Sequence, residues 1–364
     1  MYFPSGEVLN CIRSQRPIGD LKHNSIHDIL KHNTVTKNEM LKHRDGLGCN
    51  VCYDLEKGQR GKFDIISDRI FYIKELKEVP LDLYDSVDNF DLNKIDIRWS
   101  NACNHSCVYC GPEYSSKWAK ELKIKVDEPS QERVEELKQY VFDNAHKLKH
   151  VYLAGGEPLL MKENEELLKL LLEVNPDVNV RVNTNLSRTG TPVFDLICQF
   201  KNVHWTVSID EMDKEFEYIR YGGVWKEFLE NLEVIRNLEH KVSFNMLHHI
   251  LNYMSIFDCV EFLEGLGFHK NSFIIGPLTA PTFMDIRHLP NQVLEQVNDK
   301  LVEWIDEKPG FLLENSLKNM LQYIKKPMEK NIEHSLSQIE KIDKRRNIDS
   351  KKIFTNFYST LERQ

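Results

Sequence analysis

The stretch Ile95-Asp-Ile-Arg-Trp99-Ser-Asn-Ala-Cys103-Asn-His-Ser-Cys107-Val-Tyr-Cys110-Gly-Pro112 decides how the rest of the chain is read. Ile95 to Trp99 is a short β-like run. Three cysteines follow it at once, spaced C-x3-C-x2-C and closed by Gly111-Pro112. Three thiolates on one short loop can hold three irons of a [4Fe-4S] cube. The fourth iron then lacks a protein ligand, and an open position is what lets a bound metal act on a small molecule. Zinc is a competing occupant. It more naturally uses paired C-x-x-C knuckles or a well-spaced histidine, and His105 would have to fold back on the same metal. Coincidental core cysteines are the third reading, and their shared place at a strand end counts against it.

Outward from this loop the same texture repeats. β-like runs recur at His150–Ala154, Val178–Asn183, Val203–Ile209, Lys241–Met246 and Phe273–Gly276. Helical periodicity fills the gaps at Glu132–Leu148, Asn164–Leu172, Trp225–Leu238 and Ile256–Leu266. Six β/α repeats predict an α/β fold, a parallel sheet curved into a partial (β/α)6 TIM-like barrel over residues 90–290. Such folds carry reactive groups in the loops beyond the strand C-termini. Residues 291–364 read as a helical extension, with helices at Val293–Ile305 and Leu312–Ile324 and then a polar tail with no chemistry of its own. Residues 1–75 are loop-rich, with one helix expected at Ser25–Lys31.

Composition narrows the function classes. Of the 364 residues, 41% are hydrophobic and 29% charged, as in an ordinary globular protein. No apolar run approaches the ~18 residues of a membrane span. Met1 to Cys11 has neither a basic start nor an apolar stretch of the secretory kind, so a cytoplasmic location is expected. A net charge of -8 disfavours a broad nucleic-acid surface, and the basic run Lys341–Arg346 is expected to be a solvated helix face. Cys198 and Cys259 sit on apolar helical stretches and read as core residues. His248-His249 reads as a loop or core pair.

Other strand ends carry their own motifs. Gly155-Gly156-Glu157-Pro158 follows the second run; the glycines let backbone approach a ligand closely, and the carboxylate can accept from an ammonium group. A strand-to-helix turn opened by Pro158 is the plainer alternative. Asn183 and Asn185 follow the third run, where amides can meet ribose hydroxyls or simply form a turn. Ser208 and Arg220 follow the fourth, and a guanidinium fork suits a carboxylate.

On the cysteine triplet, the chain resembles the radical S-adenosylmethionine superfamily. The continuation Gly111-Pro-Glu-Tyr-Ser-Ser-Lys-Trp118 is similar to its twitch-domain branch. The resemblance implies that Cys103, Cys107 and Cys110 hold a [4Fe-4S] cluster whose open iron chelates S-adenosylmethionine. It further implies that Tyr109 backs the adenine, that Gly155, Gly156 and Glu157 meet the amino group, that Asn183 and Asn185 lie near the ribose, and that Ser208 and Arg220 reach the carboxylate. A flavodoxin or ferredoxin would supply one electron. The C–S bond would break to give methionine and a 5′-deoxyadenosyl radical, which takes hydrogen from a peptide or a sugar-like small molecule. An iron–sulfur electron carrier without that cofactor, and a zinc-stabilised interaction protein, are the rival classes.

Gly6-Glu-Val-Leu-Asn-Cys11 and Gly48-Cys49-Asn-Val-Cys52 resemble the twitch or SPASM auxiliary-cluster module, here placed before the barrel. Cys11, Cys49 and Cys52 are then three ligands of an auxiliary iron–sulfur cluster, or of zinc. The fourth would come from a residue upstream of Met1, from a substrate or from another side chain, unless the cluster has been lost from this chain.

Overall fold

The computed structural model describes residues 1–11, 14, 16–31, 92–308 and 311–362. A short antiparallel ribbon, β1 (Glu7–Val8) and β2 (Gly19–Asp20), precedes a six-stranded sheet. The sheet comprises β3 (Lys94–Ile97), β4 (His150–Leu153), β5 (Asn179–Thr184), β6 (Val203–Ser208), β7 (Lys241–His248) and β8 (Phe273–Pro277). All neighbours are parallel and run in chain order. Parallel strands need crossovers, and helices supply them. The result is the partial (β/α)6 barrel expected from the alternation.

The strands form where expected because each alternates buried apolar residues with more exposed ones. Trp205 and Val207 of β6 and Phe244 and Met246 of β7 are fully buried. The helices are α1 (Ser116–Leu122), α2 (Gln131–Asp143), α3 (Lys162–Val174), α4 (Pro192–Ile197), α5 (Asp213–Ile219), α6 (Trp225–Arg236) and α7 (Ser255–Gly265). Local chemistry sets several starts. Ser115, Ser130 and Thr191 each accept from the backbone N–H three residues on, and Pro192 opens α4. Leu167, Leu168 and Leu171 form the buried stripe of α3.

After β8 come α8 (Asn291–Glu307), α9 (Phe311–Ile324), α10 (Ile332–Arg346), α11 (Ser350–Ile353) and α12 (Thr355–Glu362). Val293, Val297, Leu301 and Trp304 of α8 repeat at helical spacing and are buried, and α9 lies against both α8 and β8. The polar tail is more ordered into the fold than its composition suggests. Phe354 and Phe357 are buried, and the Tyr218 hydroxyl of α5 donates to Asp343 at 2.7 Å. The basic run is the solvated face expected of it at Lys341, Lys344 and Arg345, but Arg346 is 2% exposed at its side chain.

At the other end of the sheet, Tyr2 forms a parallel bridge to Ile97, its N–H donating to the Asp96 carbonyl at 3.0 Å. Leu21, Ile26 and Ile29 are buried with it, and residues 26–31 are helical behind a Ser25 cap. The first thirty residues thus cover edge strand β3, which would otherwise offer unpaired backbone groups. No helix among the described residues is long and apolar enough to cross a membrane.

Candidate active site at the strand ends

The cysteine loop leaves the end of β3 and is gripped from several sides. Ser115 donates to the His105 carbonyl at 2.5 Å, and Trp118 Nε1 donates to the Cys107 carbonyl at 2.7 Å. Ser116 meets both the N–H and the carbonyl of Cys103. From the segment after α5, the Tyr221 carbonyl accepts from Ser106 N–H and the Ile219 carbonyl from Val108 N–H, each at 2.8 Å. Helix α1 therefore serves the loop it follows, and the quoted run to Trp118 is its support.

The end of β4 closes on the same loop. Glu157 N–H donates to the Ala102 carbonyl at 2.7 Å. A Cβ on Gly156 would overlap that carbonyl, and Gly155 holds a φ of 115°, which other residues rarely adopt. Both glycines thus admit the cysteine loop's backbone. The Glu157 carboxylate accepts from Leu159 N–H at 3.2 Å, Thr184 hydroxyl at 2.7 Å and Asn185 N–H at 2.7 Å. It is buried, and burial pushes its pKa up to about 7 against the pull of those donors. In this arrangement it ties β4 to the β5 loop. The Asn185 amide in turn reaches Asn104 at 3.0 Å and the Cys103 sulfur at 3.9 Å. Asn183 differs: its Oδ1 is buried without a partner.

Below the end of β6 lies a charged cluster. Arg220 is 5% exposed; its Nε donates to the Ser208 carbonyl at 3.1 Å, and Nη1 to the Tyr109 hydroxyl at 3.0 Å and the Cys107 sulfur at 3.9 Å. Tyr109 donates to Asp210 at 2.6 Å, and Asp210 also accepts from Leu247 N–H at 2.8 Å. Arg220 and Asp210 form a buried ion pair at 3.7 Å. Cys103, Cys107, Cys110, Tyr109, Arg220, Glu157 and Asn185 are thus knit into one constellation at the mouth of the barrel. His105 stands beside Gly223 and Phe216 at the wall of a polar cavity of about 100 Å³ that Asn104, Asn185 and Ser187 also line. Both its ring nitrogens are buried and unpartnered, and burial lowers its pKa to about 3.

Residues 97–263 match the family described as the Radical SAM superfamily. They are a radical SAM domain. The chain is 26% identical over 195 residues to a GTP 3′,8-cyclase of Sulfurimonas denitrificans, covering 51% of this chain and 56% of the cyclase. It is 26% identical over 193 residues to the sporulation killing factor maturation protein SkfB of Bacillus subtilis, covering 53% and 44%. Among solved structures it is similar to native anSMEcpe with bound AdoMet, with 16% identity, a TM-score of 0.45 and 59% and 61% coverage. The chain spans less than two thirds of these relatives' lengths.

The radical SAM superfamily binds a [4Fe-4S] cluster and S-adenosylmethionine, and the residues of this domain fit both. Burial and then the charge of Cys107 push the Cys103 and Cys110 thiols up to about 12, and burial raises Cys107 as well. Iron would displace those protons, since a thiolate is the ligand form. The donors on the Cys103 and Cys107 sulfurs are of the kind that tunes cluster potential. The open Asn183 oxygen wants a hydroxyl or ammonium donor. Among the described residues, no three His, Cys, Asp or Glu side chains converge as ligands of a single metal ion would. A cube, whose thiolates bind separate irons, does not require that convergence.

Several residues that hold this radical SAM domain together escape a sequence reading. Asp210 sits one residue past an apolar strand, which signals only a strand end. Trp118 looks like any core aromatic, and Arg346 lies 240 positions from its partner Ser106. Cys259 is buried as expected, Cys198 is half-buried, and His248 and His249 are buried, with His248 Nε2 bonded to the Tyr253 carbonyl at 2.9 Å. Cys11 is half-buried beside β1, whereas Cys49 and Cys52 lie outside the described residues.

Proposed function

We propose that this chain is a radical enzyme in which Cys103, Cys107 and Cys110 hold a [4Fe-4S] cluster with one iron left to S-adenosylmethionine. The supporting observation is the placement of all three cysteines on one loop, braced by β4, α1 and the Arg220 segment at the mouth of a parallel barrel. When bound, cluster and cofactor together supply an electron and a 5′-deoxyadenosyl radical that takes a hydrogen atom from substrate. The protein's own part is orientation. Arg220 brings a fixed positive charge beside Cys107, Asp210 and Tyr109 hold that charge in place, and Asn183 offers its free carbonyl oxygen at the end of β5. The buried walls exclude water from a reactive intermediate.

The substrate class we favour is a peptide or a small molecule. Similarity to a peptide maturation protein supports the first and similarity to GTP 3′,8-cyclases the second. A flavodoxin- or ferredoxin-like protein would deliver the electron. Cys11, Cys49 and Cys52 are proposed as ligands of an auxiliary cluster within residues 1–75.

Anaerobic reconstitution with iron and sulfide, followed by a 5′-deoxyadenosine assay, tests the reading. Cys107→Ala should abolish dithionite-driven cleavage while the barrel stays folded by circular dichroism. Production of 5′-deoxyadenosine at the parent rate would sink the assignment. For the auxiliary site, Cys49→Ala with Cys52→Ala should lower iron from about eight toward four per chain if both sites carry four irons.

A further inference from the structure

Arg346, the last residue of α10, is buried against the outside of the cysteine loop. Its Nη2 donates to the Ser106 carbonyl at 2.7 Å, and its Nε donates to Glu121 of α1 at 3.1 Å. The guanidinium lies between two rings, 4.6 Å from the centre of Trp118 and 4.3 Å from that of Tyr221. Glu121 also accepts from the Ser106 hydroxyl at 3.0 Å. With Ser106 N–H given to Tyr221, all three polar groups of Ser106 are held, one residue before Cys107. Trp118, under the same guanidinium, holds the Cys107 carbonyl itself.

Burying a guanidinium is costly before its partners are counted. A helix end serving only as surface would leave such a side chain in water, as Lys344 does two residues earlier. The tail is moreover fastened next to the same segment: Asp343 accepts from Tyr218, two residues before Arg220, and from Ser350 on its other oxygen.

We infer that α10 is a clasp on the cluster loop, with Arg346 as a positioning residue that fixes Ser106 and Cys107 for cluster retention. The inference rests on the cysteine triplet holding a cluster. It assigns the polar tail a role in the site that its sequence does not signal. Arg346 is ion-paired with Glu121 and its Nη1 is buried without a hydrogen bond, so removing the cation leaves a carboxylate unanswered beside the cysteine loop. A cation there favours the more negative, reduced state.

The test uses full-length chain, reconstituted anaerobically, with cluster loss to an iron chelator followed by absorbance and the reduced cluster titrated by electron paramagnetic resonance. Arg346→Met is expected to lose cluster about tenfold faster than the parent, as loss of a charge-assisted hydrogen bond implies, and its midpoint potential should move negative. Arg346→Lys keeps the charge and loses the fork: it should hold the parent potential while still losing cluster faster. If Arg346→Met does not fold, Glu121→Ala decides, because it releases Ser106 and Arg346 together. Parent-like chelation rate and potential in Arg346→Met, or parent-like rate in Glu121→Ala where that variant decides, would overturn the clasp. A parent chain with no four-iron cluster dependent on Cys107 would instead overturn the proposed function, and the clasp with it.

Discussion

The Tyr109 hydroxyl donates to the Asp210 carboxylate at 2.6 Å, joining the cysteine loop after β3 to the end of β6 on the other side of β4 and β5. Asp210 also faces Arg220, so one buried anion answers a phenol and a guanidinium. Asp210→Asn removes that anion and leaves the guanidinium without its buried counter-ion. The expected cost is about 3 to 5 kcal/mol of stability. Urea denaturation of the unreconstituted chain measures it, and a midpoint equal to the parent's would refute the pairing.

Gly156 separates packing from chance. A Cβ there meets the backbone of Asn101 and Ala102, which cannot give way as a flexible side chain would. Gly156→Ala should cost about 3 kcal/mol and impair cluster incorporation. Gly190→Ala, where no atom lies within 4 Å of the new methyl, should be close to neutral. Thermal midpoints of the two variants should differ clearly; matching values would contradict the close approach of β4 to the loop.

Glu157→Gln tests the tie between β4 and β5. Its two oxygens accept from three donors, Leu159 N–H, Thr184 hydroxyl and Asn185 N–H. A glutamine must turn its NH₂ toward at least one N–H, leaving a buried donor unsatisfied at about 1 to 3 kcal/mol. The asparagine loop should loosen with it. Hydrogen exchange at Asn185 reports this directly, and protection unchanged from the parent would count against the tie.

Stability should peak near neutrality for reasons the buried groups supply. Burial raises Glu157 to about 7 and Glu211 to about 8, so each contributes stability below its unfolded pKa of 4.5 and loses it as pH rises through those values. Burial lowers His105 and His204 to about 3 and His248 to about 4, and it holds His249 well below the ordinary histidine value. Their contribution is present above 6.5 and fades as pH falls toward those folded values. Below pH 6.5 the lowered histidines, which include His240 and His288, outweigh two glutamates; just above it the two glutamates outweigh the single buried Met1 amino group, which burial lowers. Denaturation midpoints between pH 5 and 9 should therefore form a dome with its top near 6.5. Glu211→Gln should flatten the alkaline limb and steepen the acid limb above pH 4.5; an unchanged alkaline limb would contradict this assignment.

The sheet was legible because every strand buries apolar residues on its core face. Val203 to Ser208 and Lys241 to His248 read as strands from apolar residues alone, within one or two positions of their ends. Helix α1 was harder. Its seven residues include two lysines and one buried tryptophan, and its value lies in bonds to a loop rather than in periodicity. The cysteine triplet announced itself through spacing. Glu157 and Arg220 stood out by motif, but their partners on other strands and loops and the part of Asp210 did not, because these lie 12 to 113 residues away, which no local pattern encodes. Arg346 is the extreme case: a cation in a run of cations, distinguished only by where the chain finally carries it.

That contact also orders events during synthesis. At about 5 to 20 residues per second, the ribosome needs roughly 12 to 48 seconds to travel the 240 residues from Ser106 to Arg346. Throughout that interval the thiols lack their last brace, and in its first part they lack Gly155 and Gly156 as well. Metal delivered then would meet an unfinished cradle, so loading belongs after α10 has emerged and wrapped back to the barrel.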